Sequence, residues 1–288
     1  MMKHIFLSPH LDDAVGSCGG LIAKLIYQRE KVLVLSIYTK NLDLRKIPKK
    51  YHKFANYDER KEEDKKAMNK LSADFKWLDL TERTYRVPIP KRLTEVFKID
   101  LSADLAQFPN IAKIQDEISK AIDESPNSIV YAPLGIGNHF DHVEVFLAAL
   151  MYMVDYALYD NFRFYVDFYG MVNTKIRKKH YLGKKIIRKG LKKPEKSSLK
   201  FLMITTIMNS MISGSSIEKL LETKYKSLSW ELEPISIHGY EKLKFSALEC
   251  YESQIKLFGI KHARKAIETF HRNWDNSELY LKAKPTHI

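Results

Sequence analysis

An α/β fold, a mostly parallel sheet with helices on both faces, is the class this chain predicts. Three observations carry it. Short apolar runs alternate with charged or amphipathic helical stretches, and the apolar runs stop at polar or glycine-containing turns. The 288 residues, 45% of them hydrophobic, are enough to bury one sizeable core. In chain order, His-Ile-Phe-Leu-Ser-Pro (4–9) is a short apolar run bounded by proline, which suits a buried parallel strand feeding a turn. His10 then stands at the strand's carboxyl end, where ligands bind in open α/β sheets. Lys31 to Tyr38 is a β-branched apolar run, Asp58 to Leu71 a charged amphipathic helix, and Asp74 to Leu80 a strand. Ile111 to Ile122 reads as a helix before a strand at Ser128 to Leu134. Gly16, Gly19 and Gly20 give Gly-x-x-Gly-Gly instead of the dinucleotide spacing, and no ribose-binding acid stands out, so NAD binding is rejected. There is no internal repeat. One domain over 1–288 is expected, with 171–226 as a candidate basic inserted subdomain.

Two polar clusters sit where apolar runs end. Ser-Pro-His-Leu-Asp-Asp (8–13) is answered by Asn-His-Phe-Asp-His (138–142), whose His139 lies 126 residues after Asp13. A catalytic zinc usually takes three protein ligands from His, Asp, Glu or Cys and leaves a position for water. His10 and Asp13, three apart, can reach one ion, and one histidine of the second cluster completes the set. Asp12 is left as a carboxylate suited to act as general base. If His142 is the third ligand, His139 is free to donate a proton or hydrogen bond to developing negative charge, and Asp141 can fix an imidazole's tautomer. The competing structural explanation is that each cluster is a turn plus helix cap, since Asp favours exposed N–H groups and the positive end of the helix dipole.

The first cluster resembles the His-Pro-Asp-Asp-Glu motif, and the second the His-Pro-Asp-His motif, of the PIG-L/LmbE-like zinc N-deacetylases. Arg60 and Glu63 resemble that family's Arg-x-x-Glu, Ile129–Gly137 its strand and loop before the second motif, and Phe164–Gly170 its next strand. Lys244–Gln254 resembles its late helix, with Lys-x-x-Ala and Tyr-x-Ser-Gln. The resemblance covers most of the chain, except 85–110 and 171–226. It implies a Rossmann-like fold and removal of acetyl groups from N-acetylglucosamine-type amines. It further implies His10, Asp13 and His142 as ligands of Zn2+ (or another divalent ion such as Fe2+), Asp12 as general base, His139 as electrophilic or acidic partner and Asp141 as its orienting group. Arg60 is implied to contact the sugar, although Arg with Glu three residues on is also an ordinary helix-surface ion pair. Three positions depart from the motifs: Leu11 for Pro, Ala14 for Glu and Phe140 for Pro. None removes a ligand or a proton-transfer group. They bear on the substrate.

The net charge of +13 is local. Residues 175–200 hold twelve Lys or Arg against one acid, Glu195. With Leu182, Ile186 and Ile187 roughly helically spaced, this run suits peripheral contact with an anionic membrane surface, an anionic carrier on the substrate, or a solvated loop. Nucleic acid is disfavoured, because His180 and Tyr181 are the only aromatic rings in the run and no recognition motif accompanies it. Phe201–Ile212 is polar-interrupted and too short to span a bilayer, and the amino-terminal apolar stretch is too short for a secretory signal. Cys18 and Cys250 make no disulfide framework and suit a reducing compartment, so a cytoplasmic location is expected. Cys18 reads as a small buried side chain. Lys244, Tyr251, Ser253 and Gln254 are expected in a packed helix, and His238, His262 and His271 outside any metal site. The rival functions are a metal hydrolase for another amide or a phosphate ester, favoured by a two-metal site, and a non-catalytic sugar-binding or membrane-associated protein.

Overall fold

The computed structural model describes residues 1–97, 99, 105–187, 216–254 and 259–286. Seven strands form one sheet, in spatial order β3-β2-β1-β4-β5-β7-β6. The first five are β1 (Lys3–Ser8), β2 (Lys31–Ser36), β3 (Asp74–Trp77), β4 (Ile129–Pro133) and β5 (Phe162–Tyr165), all parallel. The central strand β1 is flanked on both sides, and Ile5, Phe6 and Leu7 are fully buried. Burial on both faces is why its sequence reads as a continuous apolar run instead of an alternating one.

Helices α1 (Asp13–Tyr27), α2 (Tyr57–Leu71), α3 (Ile111–Asp123) and α4 (Phe140–Asp155) connect or follow these strands, α2 and α3 close to their expected limits. Asn56 starts α2 by accepting from Glu59 N, and Ser72 ends it in the left-handed conformation (φ 56°). Short helices α5 (Phe168–Val172), α6 (Thr174–Lys179) and α7 (Tyr181–Lys184) follow β5, and α8 (Ser216–Thr223) leads to β6 (Leu228–Ser236). Helices α9 (Glu241–Leu248) and α10 (Ile260–Arg272) precede β7 (Ser277–Pro285). Helices α1 and α2 pack with one another and with α9, while α3 packs on α4.

Three details differ from expectation. The strand expected from Phe164 to Gly170 ends at Tyr165 and gives way to α5 at Phe168, because Asp167 leaves the strand to bond the β4–α4 loop. The late helix stops at Leu248, and residues 252–254 form a separate helical turn. The sheet closes with two antiparallel strands: β7 pairs with β5 at Phe164–Leu281 and along its length with β6.

Within the expected insertion, Ile176, Leu182, Ile186, Ile217, Leu220 and Leu221 are buried in the same core cluster as the sheet. The basic residues from 188 to 200 and the stretch 201–212 lie outside the described residues. Among the described residues, no helix is long and apolar enough to cross a membrane.

Candidate metal and catalytic site

The topology brings the two clusters together. Strands β1 and β4 are parallel neighbours, and the chain departs from β1 toward β2 on one side and from β4 toward β5 on the other. Their carboxyl ends therefore open the crevice in which α/β sheets bind ligands. His10, Asp12 and Asp13 leave one end and His139, Asp141 and His142 the other.

The capping explanation accounts for little of the first cluster. Asp12 stands at the N-cap of α1 without a side-chain capping bond. The Asp13 carboxylate instead turns back, accepting from His10 N at 2.8 Å. In the second cluster a cap does form: His139 begins α4, and its Nδ1 accepts from Asp141 N at 3.3 Å.

His10 Nδ1 and His142 Nε2 both lie 3.1 Å from Asp13 Oδ2. The donor atoms of these three residues fall within 4.8 Å of one another. A tetrahedral zinc with bonds of roughly 2.0–2.1 Å needs ligand atoms about 3.3 Å apart, so this set fits the ion. Each imidazole is also held from behind. His142 Nδ1 is 2.7 Å from Asp167 Oδ1, and His10 Nε2 is 3.2 Å from Asp141 Oδ2. A carboxylate on the far nitrogen of a ligating histidine fixes its tautomer and raises its basicity.

Burial and the neighbouring charges set the protonation of each group. Burial pushes His142 down, but Asp13 and Asp167 outweigh it and lift the imidazole to about 9. His10 is likewise held well above its ordinary value, burial being overcome by Asp13 and Asp141. Burial works against the charged form of Asp13, but the two histidines keep its carboxyl well below the usual range. Asp12 goes the other way, raised by burial and then by the charge of Asp13, as suits a proton acceptor. Burial takes His139 down to about 3. It is thus a neutral imidazole, and with Nδ1 accepting a backbone N–H its proton resides on Nε2, free to donate.

Arg60 is buried, with guanidinium nitrogens 3.9 Å from Asp12 Oδ1 and 3.5 Å from Glu82 Oε2. Both oxygens of Glu63 are engaged by Ser253, from its N at 2.7 Å and its Oγ at 2.6 Å. Tyr251 OH donates to Asp64 at 2.7 Å, so the Tyr-x-Ser-Gln segment braces α2 and hence Arg60. Lys244 is fully buried and pairs with Glu278 at 2.7 Å beneath α1. Cys18 is fully buried and its thiol is pushed up by burial, the opposite of what a nucleophile needs.

Sequence reasoning missed four charged residues here. Asp167 ends the short apolar run Phe164–Val166 as His10 follows its own, a signal legible in the sequence. Glu82 follows β3 and, with His10, His139 and Asp141, forms a second group of mutually close donor atoms. The Asp141 carboxylate of that group is engaged by Arg86 and by Arg83 N at 3.0 Å, which supports a site for a single ion. Arg86 and its second partner, Glu144, complete the four. Asp141 lies closer to His10, at 3.2 Å, than to His139, at 3.9 Å.

The family described as PIG-L, GlcNAc-PI de-N-acetylase, matches residues 5–153, just over half of the chain. Among solved structures, a deacetylase of the teicoplanin biosynthetic pathway is 18% identical, with 99% of each chain covered and a TM-score of 0.66. The A40926 pseudoaglycone deacetylase is 17% identical, covering 100% of this chain and 99% of its own, with a TM-score of 0.64. The N,N'-diacetylchitobiose deacetylase from Pyrococcus horikoshii is 13% identical, covering 98% and 84%, with a TM-score of 0.52. At these identities the likeness establishes the fold. No curated protein matches in sequence. With both motifs of the matched region meeting at one crevice, the chain belongs to the PIG-L/LmbE-like family of de-N-acetylases.

Proposed function

We propose that this chain removes the acetyl group from an N-acetylglucosamine-type amino sugar, using one zinc ion held by His10, Asp13 and His142. The observation that carries this is the convergence of three donor atoms within 4.8 Å beside an uncoordinated, half-buried carboxylate, Asp12. Zinc bound there supplies Lewis acidity for the amide carbonyl and a water of lowered pKa. Asp12 accepts the proton of the attacking water. The neutral His139 donates from Nε2 to the oxygen that gains charge, and so stabilises it without itself needing to lose a positive charge. Asp141 and Asp167 orient His10 and His142. As the C–N bond breaks, the departing amine takes up a proton within the site, leaving acetate and a free amino sugar.

Arg60 and Glu82, paired beside Asp12, are suited to bind sugar hydroxyls: a fixed fork of donors next to a carboxylate acceptor. The exposed Lys175, Lys178, Lys179, Lys184 and Lys185 favour an anionic carrier on the sugar. We also infer a single catalytic domain, because the described flanks of 171–226 share its core.

The test is acetate release from free N-acetylglucosamine and its chito-oligosaccharide, nucleotide-linked, lipid-linked and small-aglycone conjugates. Release from one class, abolished by a chelator and by Asp12→Ala, supports the reading and names the carrier. No release from any of them by protein holding stoichiometric zinc overturns it.

A further inference from the structure

Phe140 stands where the family's second motif has Pro. Its ring lies 5.8 Å from the Arg83 guanidinium and 5.3 Å from that of Arg86, with the Phe108 ring tilted against it at 4.5 Å. Asp141 and Glu144 are three apart on α4, so their carboxylates share one helix face. Both bind the Arg86 guanidinium, Glu144 at 2.9 Å. Asp141 also accepts from Arg83 N, the residue after Glu82.

Glu144 is fully buried and does more than pair with Arg86. Its Oε1 accepts from Asn110 N at 2.7 Å and its Oε2 from Asn110 Nδ2 at 3.3 Å. Tyr38 OH, two residues past the end of β2, donates to Oε2 as well. One carboxylate therefore fastens the segment between β3 and α3 at two points, Arg86 and Asn110. A buried, fully hydrogen-bonded carboxylate holding a guanidinium is geometrically demanding, and losing its charge leaves the cation poorly matched.

We propose that Glu144 is a positioning residue for substrate: by clamping Arg86 and Asn110 onto α4 it fixes the Glu82–Arg60 pair opposite Asp12. This rests on the deacetylase reading for its substrate, but the clamp has a readout that does not. Glu144 touches none of the three metal-binding residues directly, so its loss acts on substrate affinity more than on turnover or zinc. Arg86→Lys keeps the charge but not the planar fork, and produces a milder form of the same defect.

The experiment compares zinc-loaded wild type, Glu144→Gln and Arg86→Lys by steady-state deacetylation, zinc affinity and limited trypsinolysis. Mass spectrometry follows cleavage after Arg83, Arg86, Lys91 and Arg92. The expected result for Glu144→Gln is a KM raised at least tenfold, kcat within threefold, zinc affinity unchanged, and cleavage at those four sites at least tenfold faster. Arg86→Lys should fall between it and wild type, and stands in for it if Glu144→Gln does not fold. Unchanged cleavage at these sites overturns the clamp. Zinc affinity or kcat falling in step with KM, or cleavage accelerated throughout the chain, overturns a positioning role in favour of a general structural one. Wild type that releases no acetate refutes the deacetylase reading by itself, while the cleavage comparison still decides the clamp.

Discussion

Beneath α1, Lys244 and Glu278 form an ion pair at 2.7 Å with essentially no exposure. Lys244 Nζ also donates to Ser17 O at 3.2 Å. The two oxygens of Glu278 accept from Gly20 N and Leu21 N, each at 2.9 Å, and Tyr280 OH adds a third donor. The pair thus grips the middle of the helix whose first residue is Asp13. Lys244→Met removes the cation and leaves a carboxylate buried with only neutral donors, which costs about 3–5 kcal/mol. For a protein of this size that is a large share of a net stability of roughly 5–15 kcal/mol, and corresponds to a fall in melting temperature of roughly 10 °C. Glu278→Gln strands the ammonium instead and destabilises by a similar amount. In the double variant neither charge is left alone, so its cost falls below the sum of the two by about 2 kcal/mol or more. Urea denaturation followed by circular dichroism, run as a double-mutant cycle, measures these differences. Single variants costing under about 1 kcal/mol each, or strict additivity in the double, would refute the reasoning.

Other outcomes follow from the site. Asp12→Ala lowers kcat by roughly 10²–10⁴-fold while zinc stoichiometry, measured by metal analysis, stays at one. Asp167→Asn, which weakens the hold on His142, reduces zinc affinity by roughly 10–100-fold in competition with a chromogenic chelator. Burial takes His180 down to about 4, below its ordinary 6.5, so the unfolded chain binds the extra proton between these values. Its contribution is complete above pH 6.5 and is lost as pH falls toward 4, by about 3 kcal/mol in the limit. His180→Asn, which keeps an acceptor for Gly183 N, should flatten that part of the stability profile in urea denaturation at a series of pH values.

The parallel half of the sheet was legible because its signals are local. A strand buried on both faces must be apolar throughout, and a turn bearing His and Asp must follow it if it ends at a catalytic crevice. His10, Asp12, Asp13, His139, Asp141 and His142 therefore stand out in the sequence as candidates, and the fold brings them to one crevice. The antiparallel pair is less legible, although in β6 Leu228, Trp230 and Leu232 alternate with Ser229, Glu231 and Glu233 as a half-buried strand does. Its pairing with β7, some 50 residues later, is not local information. Glu82, Arg86 and Glu144 were missed for the same reason: each is an ordinary charged residue until the fold places it against Arg60, Asp141 or Asn110. Phe140, a departure from the motif without evident purpose in sequence, acquires one as the platform for Arg83 and Arg86.

A one-ion deacetylase site at His10, Asp13 and His142 is best probed by titrating zinc back into chelator-stripped protein. With an N-acetylglucosamine conjugate as substrate, acetate release should be absent from stripped protein, rise linearly to one equivalent of zinc and then level off, and His142→Ala should show no rise at one equivalent. Release that survives stripping, or that requires two equivalents, would contradict the account.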